Sequence, residues 1–185
     1  MTTKSRKKKN EPTWTDLKRS LNGLDRNGLL GLIQDLYAAD KDNRVFLHAR
    51  FGLGDDVLKP YKATISRWVC PDLFNQAISV AKAKKAISDY RKAMGRPEGL
   101  AELMVFYCEE CTAFLGCCGM DDEGYFDALV RMFEKALKAI SKLDSELQQS
   151  FVERMERVRQ PGHNYGYGVG DDMDDLMVRY GFGEE

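Results

Sequence analysis

The residues with the most chemical capacity in this chain are five cysteines and two histidines. Cys108-x-x-Cys111 followed by Cys117-Cys118 has the density of a metal centre. A closed zinc site needs four ligands, normally as two pairs on knuckles or hairpins. Here the first pair falls inside a helical pattern and Cys111 joins an apolar stripe, where a free thiol behaves as a small hydrophobe. Cys108 and Cys111 are the candidate ligands, and the packing role is the competing one; no resident metal or other cofactor is expected. A thioredoxin-type redox pair would need a βαβ setting, and none surrounds it. His48 lies among Phe46, Leu47, Ala49 and Phe51, and His163 opens a glycine-rich segment. Neither has a nucleophile and an orienting acid beside it in sequence, so no catalytic residue is expected.

Gly166-x-Gly168-x-Gly170 invites a phosphate-loop reading. The dinucleotide fingerprint requires a preceding strand and a G-x-G-x-x-G spacing, both missing here. The glycines more simply give backbone freedom that lets Tyr165 and Tyr167 fold back as apolar anchors. The alternative is that these two tyrosines stay exposed and contact a protein partner.

A basic helix face with Lys82, Lys84, Lys85, Arg91 and Lys92 is the candidate nucleic-acid surface, reinforced by Lys7, Lys8 and Lys9 in the arm. Such binding draws its affinity from neutralised phosphates and needs concentrated positive charge. The chain has 28 basic and 29 acidic side chains and a net charge of −1, which argues against a strongly electrostatic binder. A solvated helix face is the plainer explanation. Acid pairs such as Glu109-Glu110 and Asp121-Asp122 are read as caps and wet helix surface.

These groups must be positioned by helices. Apolar residues recur at steps of three and four, glycine and proline mark the boundaries, and β-branched alternation is nearly absent. Trp14 to Leu21 reads as an opening helix, and Asp25 caps a second with a broad face of Leu29, Leu30, Leu32, Ile33, Leu36 and Tyr37. A third carries Val45, Phe46, Ala49 and Phe51, and a fourth, capped by Asp55 or Asp56, runs to about Trp68. Val80, Ala83, Ile87, Tyr90 and Met94 mark the fifth, stopped by Gly95. Leu100, Leu103, Tyr107, Cys111, Phe114 and Cys118 form the stripe of a sixth, broken by Gly116 and Gly119. Phe126, Leu129, Val130, Phe133, Ala136, Leu137 and Ile140 form the strongest amphipathic face, and Leu147, Phe151, Met155 and Val158 mark a further long helix. Asp171 to Tyr180 is a last short one.

Helices cannot keep such stripes dry alone, so the faces are expected to pack on one another. The fold class is therefore all-α, either an antiparallel helical bundle or a helical-repeat-like array of about seven to nine helices. An echo of Ala83-Lys84-Lys85-Ala86-Ile87-Ser88 in Ala136-Leu137-Lys138-Ala139-Ile140-Ser141 keeps the repeat alternative open. Composition divides the chain into a basic disordered arm (1–12), a helical domain (13–161) and a Gly/Tyr loop with a short acidic C-terminal helix (162–185). No apolar stretch approaches the roughly 20 residues of a membrane span. The arm has no apolar segment after it and the thiols are odd in number, so a reducing cytoplasm is the expected compartment.

Several blocks taken in order carry a resemblance. They are Leu32-Ile33-Gln34-Asp35-Leu36-Tyr37, Phe46-Leu47-His48-Ala49-Arg50-Phe51, Ala83 to Tyr90, Met132-Phe133-Glu134-Lys135-Ala136-Leu137, and Gly166-Tyr167-Gly168. Over Trp14 to Tyr180 the chain resembles a bacterial family known only as a domain of unknown function. The resemblance implies a small cytoplasmic helical protein and transfers no catalytic residue. The expected function is a non-enzymatic module that binds a protein partner or itself, with nucleic-acid association as the alternative.

Overall fold

A computed structural model of the chain describes residues 11–72 and 74–183. Among the described residues are nine α-helices, one 3-10 turn and no strand. They are α1 (Trp14–Leu21), α2 (Arg26–Ala39), α3 (Lys41–Phe51), α4 (Lys59–Val69), α5 (Val80–Ala93), α6 (Pro97–Cys118), α7 (Glu123–Ile140), α8 (Ser145–Arg159), the 3-10 turn Gln160–Asn164 and α9 (Val169–Arg179). The all-α expectation holds. No described helix is long and apolar enough to cross a membrane.

The chain forms two compact units, residues 1–44 and 45–185, with the division inside α3. The boundaries read from composition lay elsewhere, because Pro161-Gly162 and the glycines after it resemble a linker. In the structure the 3-10 turn packs on α8 and α9, and α9 packs on α7, so this segment belongs with the body.

In the unit 45–185, α6 is the central strut, packed against α4, α5, α7 and α8. Its buried residues, Leu103, Met104, Val105, Tyr107, Cys108, Cys111, Phe114 and Leu115 among them, point in all directions, as an inner helix requires. One helix touched by four others is a bundle; a stacked array would confine each repeat to its neighbours. The α7 face predicted from spacing is the heart of the core: Leu129, Phe133, Ala136, Leu137 and Ile140 are all fully buried. Each large side chain hidden this way contributes roughly 1.5–3 kcal/mol. Asp122 caps α7 by accepting from the Tyr125 N–H at 2.7 Å. Gly116 lies inside α6, and Gly119, in the left-handed region at φ 56°, ends it. α4 has no side-chain cap at its own N-cap; Asp56 accepts instead from the N–H groups of Leu58 and Lys59. Gly99 is required by the α5–α6 crossing, since a Cβ there would stand 2.1 Å from the Tyr90 hydroxyl.

The unit 1–44 is built on sound local rules with a different outcome. Thr13 and Asp16 form a reciprocal capping box on α1, and Asp25 caps α2 by accepting from the Gly28 N–H at 2.7 Å. Yet neither helix has a single buried residue. The expectation that every apolar stripe turns toward another fails here: Leu29, Leu30, Leu32, Ile33, Leu36 and Tyr37 are all exposed. The reason is local to the unit, because α1 and α2 do not pack extensively on one another.

Candidate functional site

Cys70 is half-buried, and the four thiols of α6 separate into two classes. Cys108 and Cys111 are buried on α6, whereas Cys117 and Cys118 at its exposed end face solvent. Burial pushes the Cys108 thiol well up, and it pushes Cys111 up to about 12 against the opposing pull of the Tyr125 and Tyr107 hydroxyls. Tyr125 itself donates to the Val69 carbonyl at 2.7 Å, tying α7 to α4. The ligating and nucleophilic form of cysteine is the thiolate, which this environment opposes. Among the described residues no three His, Cys, Asp or Glu side chains converge as metal ligands.

Beside this apolar centre lies a polar network that sequence inspection did not assemble. Arg154 of α8 grips two carboxylates of α6. Its Nε and Nη2 donate to Glu109 at 2.7 Å each, and its Nη1 and Nη2 donate to Glu102 at 2.5 and 3.2 Å. Lys62 of α4 adds a contact to Glu102 at 2.6 Å. Burial alone would raise the Glu102 carboxyl, but hydrogen bonds from Arg154 and Lys62 outweigh it and hold it below its ordinary value. Hydrogen bonding to Glu109 raises Arg154 further above its usual range. Glu110 meanwhile accepts from the Ser66 hydroxyl. Glu109 and Glu110, read from sequence as wet surface, are thus bonded to α8 and α4. Two cations and two anions balance, so this is a clamp joining three helices. The available signal was Arg154 standing between Phe151 and Met155, on the inward side of its helix.

The Gly/Tyr segment divides between the two expectations, with Tyr165 folded back and Tyr167 largely exposed. Tyr165 stacks on Phe126 at 5.8 Å between ring centroids and an interplanar angle of 14°. Tyr167 tilts against the same ring at 5.9 Å and remains 60% exposed. At φ 59°, Tyr167 is the single non-glycine among the described residues with a left-handed backbone, a conformation that the Phe126 contact helps to hold. Beneath the segment is an open cleft of about 490 Å³ that Leu115, Met120, Asp121, Asn164 and Tyr165 help to line. His163 approaches Asp174 at 3.1 Å, and Asp174 also takes Arg159. Hydrogen bonding from Arg159 is the main cause holding the Asp174 carboxyl below its ordinary value. A Cβ on Gly170 would lie 2.4 Å from His163 Nδ1, so glycine is needed where the turn meets α9.

On the basic face, Lys82 places its Nζ 3.7 Å from the centroid of the Trp68 ring and Lys85 pairs with Asp89 at 2.5 Å. Both cations are engaged within the chain. Arg91 is exposed near the end of α5. Lys84 stands near Lys135 and Arg131 of α7; burial first, then these like charges, lower its ammonium. Lys7, Lys8 and Lys9 lie outside the described residues.

The largest undischarged chemistry of the molecule is apolar. On α1, α2 and their connection, Trp14, Leu17, Leu24, Leu29, Leu30, Leu32, Ile33, Leu36 and Tyr37 are 37% to 67% exposed. With about 150–200 Å² for a large apolar side chain, this leaves on the order of 700 Å² uncovered. About 400 Å² of this lies on one side of α2, on Leu29, Leu30, Ile33, Leu36 and Tyr37, which matches the size of the largest and often functional apolar patches of monomeric proteins, about 300–600 Å². Sequence inspection identified this face and assigned it to the core. Compared with known proteins, the chain matches no family model, no curated protein and no solved structure.

Proposed function

We propose that this chain is a non-enzymatic helical module that works by protein–protein association, with α1 and α2 as the docking surface and residues 45–185 as a folded body. The observation that carries the reading is the run of exposed large apolar side chains on two well-capped helices without a buried residue. The capping supports helices that hold their shape while their apolar faces remain available. The chemistry elsewhere in the molecule supports the same reading: Cys108 and Cys111 are buried in the core and the Arg154 network clamps helices. The nucleic-acid alternative has less support, since Lys82 and Lys85 are already engaged.

The test is photo-crosslinking in cells that make the protein, with a photoreactive residue at position 30 or, as a control, at position 85. Discrete protein adducts are expected from position 30 and few from position 85. No adduct at position 30, or an equal yield at both, overturns the reading.

A further inference from the structure

The α2 face has an internal symmetry that says what covers it. Counted from Ile33, Leu30 and Leu36 are each three residues away, Leu29 and Tyr37 four, and Arg26 and Asp40 seven. At about 100° per residue, Arg26 and the four apolar residues fall within roughly 60° of the Ile33 direction on the helix, and Asp40 is the extended C-cap just past its end. The face therefore reads alike from either end, except that a cation opens it and an anion closes it.

We propose that this face is covered by a second copy of the chain, in an antiparallel two-fold pairing of α2 with α2 centred on Ile33. The proposal rests on the docking reading above and specifies the partner. In that register Leu30 meets Leu36 of the other copy, Leu29 meets its Tyr37, and Arg26 meets its Asp40. A two-fold interface must be self-complementary in this way. One Asp40 oxygen accepts from the Asp42 N–H at 2.6 Å, leaving the second for the arginine.

Area and charge agree. Leu29, Leu30, Ile33, Leu36 and Tyr37 expose on the order of 400 Å² per copy, close to the apolar share of the roughly 800 Å² per partner in a standard stable interface. α2 and its C-cap carry only Arg26, Asp35 and Asp40 as charged residues, so two such helices meet with little repulsion and the face itself has no basic stripe for an anionic polymer.

Sedimentation equilibrium of the full chain over a range of concentrations tests this. The expected result is a shift from 21.0 kDa toward twice that mass. Ile33→Glu is expected to abolish the shift with helical content unchanged, since Ile33 is 46% exposed and outside the core. Arg26→Glu is expected to weaken dimerisation roughly tenfold, through two equivalent pairs, and Arg26→Glu with Asp40→Arg to restore it. A wild-type monomer at every concentration, a dimer that survives Ile33→Glu, or a double variant no tighter than the single one overturns the proposal. If the chain is a monomer, hydrogen exchange separates the two readings: fast exchange in α2 overturns only the second copy, whereas strong protection shows the face covered by its own chain and overturns docking as well.

Discussion

Two helices of this chain carry the same kind of pattern and meet opposite fates. On α7, Leu129, Phe133, Leu137 and Ile140 are fully buried against α6, α8 and α9. On α2, Leu29, Leu30, Leu32, Ile33, Leu36 and Tyr37 all stay exposed. Both are N-capped by an aspartate, and both are amphipathic. Periodicity therefore tells that a helix has a face to cover, and nothing of whether its own chain supplies the cover.

The largest effect expected from this contrast is in the core. Phe133→Ala should destabilise the unit 45–185 by about 3–5 kcal/mol, because the cavity sits among helices that cannot collapse on it. Leu30→Ala should leave the same transition within about 0.5 kcal/mol. Thermal unfolding followed by circular dichroism measures both, and equal losses would break the comparison.

A smaller effect tests the clamp. Arg154→Met should cost about 1–3 kcal/mol at neutral pH, by stranding Glu102 and Glu109 in a partly buried place. The Glu102 carboxyl is held below its ordinary value, so the stability it contributes is complete above the ordinary carboxylate range and lost as pH falls through the depressed value. The wild-type chain should thus lose more than the variant below about pH 4, and the gap between them should narrow. Urea titrations at neutral and acid pH read this directly, and a gap that widens on acidification contradicts it.

Two glycine substitutions have opposite signs in the two units, and the one in α2 is the smallest effect of all. Gly31 of α2 has nothing within 4 Å of a Cβ, so Gly31→Ala should firm the helix by about 0.5–1 kcal/mol. Gly99→Ala drives a methyl into Tyr90 and should destabilise by about 1–3 kcal/mol. Paired melting curves show whether the signs differ.

Much of the body was legible in the order of residues. Ala83, Ile87 and Tyr90 on α5, and Phe151, Met155 and Val158 on α8, are buried as their spacing required. Local stop signals were legible too, since Gly95 and Gly119 both adopt positive φ next to a helix end. Interactions far apart in sequence were hidden. Glu109 meets Arg154 across 45 residues, and no local pattern distinguishes it from a solvated glutamate. The α2 face shows the other limit: its apolar pattern was plain, but that the face stays uncovered in its own unit had to be seen. Tyr165 lay between, because glycine freedom allowed the fold-back while the ring it chose, Phe126, had to be seen.

The place of α9 bears on how the protein is made. Val169, Met173, Leu176 and Met177, all on this late segment, complete the cover over α7. During vectorial synthesis the nascent chain therefore exposes a greasy trough on α7 until α9 has emerged. The emergence of α9, rather than the appearance of α6 and α7, sets the moment at which the body can close.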